Sequence, residues 1–210
     1  MSSDGSEAED MEPLSRRERQ AQQTREEILG AARRLFAERG YARTSVRDVA
    51  DAAGVSPQTV YDSIGSKQAL VARLNDTIDT EAGVDAIAMQ SARSTDPAEI
   101  VATPARITRS ILEHSGDVVR ALVTGAAAEP DLDAVLAEGQ RRHSAGAASV
   151  VAMLEGLGAL NQSVDRSEAV DTLAAISDFR LALVLHESYG WTLDRIEAWI
   201  ADSSRALLLQ

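Results

Sequence analysis

The chain has 210 residues, 44% of them hydrophobic, enough for one or two small domains with a genuine core. It has no cysteine, which excludes a disulfide framework, a thiolate metal site and a cysteine nucleophile, and permits a reducing compartment. The net charge of −12 argues at first against a polyanionic partner, but residues 1–13 carry −5, residues 14–73 carry +4 and residues 74–210 carry −11. Binding to phosphate depends on the local field, which ordinary salt screens over about 8–10 Å, and not on the total. No apolar run approaches the ~20 residues of a membrane span, and the acidic N-terminus is unlike a secretory signal.

Residues 1–20 are expected to form a disordered tail, acidic first and then basic. Up to Pro13 the chain lacks the apolar surface to order itself. In the following LSRRERQ, Arg16, Arg17 and Arg19 can lie along a phosphate backbone, or belong to a solvated extension of the next helix. Thr24 and Glu27 form a capping-box start. Ile28, Leu29, Ala32, Leu35 and Phe36 make one apolar stripe at helical spacing, and Gly40 ends it, with Tyr41 packing back beneath.

Thr44 to Lys67, TSVRDVADAAGVSPQTVYDSIGSK, reads as a helix-turn-helix. Ser45 and Asp48 cap a short helix whose apolar face is Val46, Val49, Ala50 and Ala53. Gly54 supplies the turn. Ser56 is the next N-cap and Pro57 the first helical residue, while Val55 and Val60 form a hydrophobic staple. Val60 faces inward, and Gln58, Thr59, Tyr61 and Asp62 face outward. Gln58 and Thr59, at the start of a helix, are placed to reach base edges in a major groove. Lys67, the only lysine, follows the N-cap Ser66. Its charge opposes the helix dipole unless an anion such as a DNA phosphate lies outside.

The stretch TREEILGAARRLFAERGYARTSVRDVADAAGVSPQTVYDSIGSKQALV resembles the N-terminal DNA-binding domain of the TetR (tetracycline repressor) family, over about a quarter of the chain. The resemblance implies a homodimeric regulator whose recognition helices read operator half-sites. Carried over by position, it implies Thr44, Ser45, Tyr61 and Lys67 for contacts to the DNA backbone and Arg47, Gln58 and Thr59 for bases. Ser56 is also expected among the DNA-binding residues. Two positions depart from the family pattern. Ile64 stands where many members have an aromatic, and Asp62 lies near a position often basic or His. A carboxylate facing DNA repels phosphate but can accept from cytosine N4.

Beyond residue 67, Ser66 to about Ser91 is predicted as one long helix with a bend at Gly83. Asp96, Pro97 and Glu99 start a helix to Glu113, kinked at Pro104, and Gly116 breaks the pattern. Asp117–Ala128 and Asp131–Leu157 follow. Asp165 with Glu168 starts a helix reaching Tyr189, and Thr192 caps the last, to about Leu208. The faces built by Leu173, Ile176, Ser177, Leu181 and Val184, and by Ile196, Trp199, Ile200 and Ser203, are expected to pair with a second copy in a four-helix bundle. Capping of the chain's own core is the alternative.

His114, His143 and His186 have no metal-ligand spacing, and no catalytic constellation, phosphate loop or HExxH appears, so no cofactor, metal or catalytic residue is expected. A pocket is expected among the helices between residues 97 and 189. It has apolar walls, Phe179 and Tyr189 as its main aromatics, and His114, Arg120 and Asn161 as polar anchors for a small apolar effector. The expected fold is all-α: a three-helix helix-turn-helix domain over residues 21–67 and a larger helical ligand-binding and dimerisation domain over residues 68–210. The expected function is a cytoplasmic, nucleoid-associated regulator, a ligand-responsive repressor binding a palindromic double-stranded operator as a homodimer. An all-α interaction module, a small-molecule-binding protein without operator binding, and an enzyme with a vestigial helix-turn-helix are the rivals.

Overall fold

The computed structural model describes residues 15–126 and 130–210. Their regular structure is helical, with a lone antiparallel bridge between Leu160 and Leu209. Four helices open the chain: α1 (Arg16–Arg39), α2 (Val46–Ala53), α3 (Pro57–Ser63) and α4 (Lys67–Glu81). The remainder comprises α5 (Val84–Ala92), α6 (Pro97–Val101), α7 (Thr103–Ala126), α8 (Asp133–Gly156), α9 (Arg166–Ile176), α10 (Phe179–Glu187) and α11 (Leu193–Leu208). A 3-10 turn, Pro130–Leu132, precedes α8.

Helix α1 begins two turns before Thr24. Ser15 caps it, accepting from the Glu18 amide while Glu18 accepts from Ser15, so residues 15–20 are helix and not tail. The tail expected over residues 1–14 lies outside the described residues. Thr24 is an interior residue whose hydroxyl donates to the Gln20 carbonyl, and Gln22–Glu26 and Gln23–Glu27 pairs support this polar stretch.

Three predicted helices divide differently. Gly83, left-handed at φ 62°, separates α4 from α5 outright. The stretch from Asp96 splits into the single-turn α6 and a long α7. In α7, Pro104 lies in the first turn and the kink falls at Ser115, not Gly116. The expected end of the following helix at Ala128 lies outside the described residues. Near the C-terminus, Asp178 caps a new helix by accepting from the Arg180 amide, so α9 and α10 are two elements.

One core runs from the N-terminal bundle into the rest of the chain. Ile28 of α1, Val49 of α2, Val60 of α3 and Leu70 of α4 share it with Leu122 of α7 and Leu132 of the 3-10 turn. All six are almost wholly buried, each contributing about 1.5–3 kcal/mol. Gly125 of α7 sits at a close contact in it, since a Cβ there would meet Leu132 Cδ1 at 2.8 Å and Tyr41 Cβ at 3.1 Å.

Two further cores correct the expected pairing face. Leu173 packs with Ile100, Val151, Leu154 and Leu208, while Ile196 and Ile200 pack with Ala105 and Ala182. Ser177 is buried too, its hydroxyl donating to the Leu173 carbonyl. These four side chains serve the chain's own interior, because α10 and α11 each lay one apolar side against α7. Val184 and Leu207 are about half exposed. Leu181, Ile176, Trp199 and Ser203 are half-buried.

Candidate nucleic-acid interface and internal cavity

The corner between α2 and α3 is built by local chemistry. Ser45 and Asp48 form a reciprocal capping box at the start of α2. Hydrogen bonds from the Ser45 side chain and backbone hold the Asp48 carboxyl below its usual range. At the other end Gly54 is left-handed, with φ 69°. The Val55 amide donates to the Ala50 carbonyl and the Gly54 amide to that of Asp51, a six-residue wrap that turns the chain sharply. Ser56 then caps α3 by accepting from the Thr59 amide, with Pro57 in the first turn.

This corner presents Gln58, Tyr61 and Asp62 outward, with Tyr61 52% exposed. Gln58 Nε2 donates to Asp62 Oδ1 at 2.7 Å, so the amide is oriented by the carboxylate one turn on. The Thr59 and Ser56 hydroxyls lie 2.9 Å apart. Arg47 and Ser45 are exposed on the first turn of α2 beside them. Thr44 departs from expectation. It is almost wholly buried, and its hydroxyl is within bonding distance of the Leu35 and Gly40 carbonyls, which pins the loop after α1. Its side chain is structural.

Lys67, the first residue of α4, places its ammonium 3.9 Å from the centroid of the Tyr41 ring. Tyr41 is buried and tilted against Phe36, with ring centroids 5.5 Å apart. The aromatic face therefore props the lysine at a helix start whose dipole would otherwise repel it.

A second feature lies across the molecule: a cavity of about 600 Å³ bounded by α4, α5, α7, α8 and the start of α10. Phe179 lines it, its ring centroid 5.2 Å from that of His143. The other expected anchors lie elsewhere. His114 is exposed, with Nδ1 2.8 Å from the Ser110 carbonyl oxygen. Arg120 is exposed on α7 and pairs with Glu187 of α10. Asn161 sits in the turn after α8, accepting from the Ser163 amide and hydroxyl. Tyr189 is on the surface.

The polar groups that do line the cavity include Asn75 and Asp79 of α4 and Arg142 and His143 of α8. Asn75 interrupts the apolar run Leu70, Leu74, Ile78, which is the signal that could have drawn attention to it. The α8 residues sit in an alanine-rich helix whose polar positions read as solvated. Among the described residues, no group of three or more His, Asp or Glu side chains is placed to hold a metal ion.

Residues 28–74 match the family model described as bacterial regulatory proteins, tetR family. The transcriptional regulator TtgR of Pseudomonas putida is 38% identical over 84 residues, which span 40% of this chain and 40% of TtgR. The transcriptional repressor KstR2 of Rhodococcus jostii is 49% identical over 47 residues, or 22% of this chain and 23% of KstR2. The match to these relatives thus spans less than half of their length. The whole fold is shared more widely. SmeT, the repressor of the Stenotrophomonas maltophilia efflux pump SmeDEF, superposes with a TM-score of 0.71 at 21% identity, covering 90% of this chain and 92% of SmeT. The helix-turn-helix region is thus similar to that of the tetR family of bacterial regulatory proteins, and the fold around it is shared with SmeT.

Proposed function

We propose that the protein is a ligand-responsive transcriptional repressor that binds a palindromic operator as a homodimer. The observation that carries this is the outward face of α3, where Gln58, Thr59 and Tyr61 stand beside exposed Arg47 and a lysine propped at the start of α4. This face suits a major groove: short polar and amide side chains for base edges, flanked by cations for phosphate. Two such helices in successive major grooves of B-DNA lie about 34–36 Å apart. Ser45, Ser56 and Tyr61 act at the DNA backbone, with Thr44 holding the loop behind them. The DNA partner places the work in the cytoplasm, at the nucleoid, and no helix among the described residues is long and apolar enough to cross a membrane.

Residues 21–67 form the DNA-reading unit and residues 68–210 the regulatory and dimerising unit. The continuous core through α1, α4 and α7 supports mechanical communication between them. The cavity is the effector site, and SmeT in complex with triclosan supports that use of this fold. Pairing runs over the outward side of α10 and α11, through Leu181, Val184, Trp199, Ser203 and Leu207, with Ile176 at the end of α9 beside them. Effector binding changes the separation of the recognition helices, a coupling typically worth about 1–3 kcal/mol.

The test is capture of genomic fragments by the purified protein at near-physiological salt. One enriched palindrome with half-sites a helical turn apart supports the reading. No enrichment from a clean monomer favours an interaction module instead.

A further inference from the structure

The cavity wall between α4 and α8 holds donors without acceptors. Asn75 is 5% exposed and lines the cavity, and its side-chain amide makes no hydrogen bond among the described residues. Unlike the Nε of Arg142, its amide atoms are not sealed in the wall, and they open onto the cavity, where they can bond whatever occupies it. Beside it stands Arg142. Its Nη2 reaches the Asn75 carbonyl oxygen only at 3.5 Å, its Nη1 lies 3.3 Å from Asp79, and its buried Nε has no partner. The contrast is Arg33, whose guanidinium makes four contacts at 2.7–2.8 Å. Arg142 is therefore a cation at a cavity wall with most of its donor capacity unused.

The acceptors nearby do not change this balance. Asp178, the other carboxylate on the wall, accepts from Arg180 at 2.6 and 2.9 Å and from the Arg180 amide. His143 is directed at the Ala174 carbonyl, with its Nε2 2.9 Å from that oxygen. Asp79 is partly exposed and holds Arg142 through one long contact, so it can yield to a better-placed anion. A cationic ligand would meet carboxylates already engaged by arginines. An anionic one would meet free N–H groups of Asn75 and the guanidinium fork of Arg142, a geometry that suits a carboxylate. Much of the remaining wall is aliphatic, with Ile78, Ile107, Ile111, Leu122 and Val150 contributing.

From this placement we infer that the cavity takes an apolar monocarboxylate, its anionic end read by Asn75 and Arg142 and its body buried between α7 and α8. The inference rests on the reading of the cavity as an effector site, and it is tested without DNA so that the two can fail separately. The fluorescence of N-phenyl-1-naphthylamine, a neutral apolar reporter, is followed as decanoate, decan-1-ol or decylamine displaces it from the full-length protein. Decanoate is expected to act at about tenfold lower concentration than the alcohol or the amine. Asn75→Leu and Arg142→Met are each expected to erase most of that advantage while reporter and decan-1-ol binding persist, which shows that the cavity is intact. Equal potency of acid and alcohol, preference for the amine, an acid preference surviving both substitutions, or no reporter binding or acid displacement would overturn the inference. Decanoate binding without any effect on an identified operator complex would leave the ligand class standing and count against the regulatory reading.

Discussion

Arg33 of α1 grips Asp117 of α7 with two hydrogen bonds, Nε to Oδ2 at 2.7 Å and Nη2 to Oδ1 at 2.8 Å. The same guanidinium donates to Glu81 of α4 and to the His114 carbonyl, both at 2.7 Å. Ser115, the residue at the kink of α7, donates to the same Glu81 carboxylate at 2.6 Å. One side chain thus ties the N-terminal bundle to the bend of a helix that lines the cavity.

Breaking this knot should cost both stability and communication. Arg33 and Asp117 are each about one-third exposed or less, and charge-assisted bonds in such settings are worth about 1.5–3 kcal/mol. Arg33→Met should therefore lower the melting temperature by several degrees, at about 2–4 °C per kcal/mol for a chain of this size. Calorimetry of the two proteins checks this. An unchanged Tm would mean that the contact is geometrically present and energetically idle.

The same knot sets an acid limit. Burial raises the Asp117 carboxyl, but the hydrogen bonds and charge of Arg33 outweigh it and leave the group below its usual range. Glu81 follows the same pattern, with Ser115, Arg33 and Thr77 outweighing burial. A carboxyl depressed in the folded state stabilises fully above its unfolded pKa, near 4, and loses that contribution as pH falls through the folded value. Denaturant titrations from pH 6 down to 3 should show stability falling below about pH 4, more steeply in the native protein than in Arg33→Met. Parallel slopes would assign the acid sensitivity to other carboxyls.

On the DNA side, Lys67 and Gln58 should separate. Lys67→Gln should weaken binding to every sequence alike and reduce the magnitude of the log–log salt slope by about 0.9 per lost phosphate contact, so by nearly two for a dimer. Gln58→Ala should instead relax discrimination at one base position, at a cost of about 1–3 kcal/mol against the preferred site. Because Asp62 holds Gln58 in the free protein and adds negative charge to this face, Asp62→Ala should strengthen binding overall and shift the base preference. Competition binding with operator variants at several salt concentrations checks all three. A salt slope unaffected by Lys67→Gln would remove the lysine from the phosphate contacts.

How much of this was legible depended on whether the signal was local. The caps at Ser45, Ser56, Ser66, Asp165 and Thr192 work within three residues of sequence, and each starts a helix where its pattern indicated. The start of α1 was left open between tail and helical extension, because Ser15 and Glu18 stand in a polar run with no apolar stripe to announce a helix. The break after α9 was hidden for the opposite reason. Apolar residues continue through it, while the Thr108 hydroxyl, 69 residues away, donates to the Ser177 carbonyl at the break. The cavity anchors were not legible as a set, since Asn75 and Arg142 meet only through the packing of α4 on α8.

The pairing face shows the same limit and carries the last prediction. An amphipathic pattern says that α10 and α11 have apolar sides, and cannot say which side meets the chain's own α7. The structure assigns Ile196 and Ile200 to that inner side and leaves Val184 and Leu207 about half exposed on the outer one. Val184→Asp with Leu207→Asp should therefore convert a dimer to a monomer in sedimentation equilibrium with little loss of helical signal, because the new carboxylates stay in water. Ile200→Asp should lower stability by several kcal/mol, because it would bury an unpaired charge in a dry core. In the monomeric double variant, affinity for a full palindrome should fall toward that for a single half-site, because the second recognition helix is no longer tethered. If the double variant stays dimeric, the two copies meet through another surface, and the outer side of α10 and α11 has a different use.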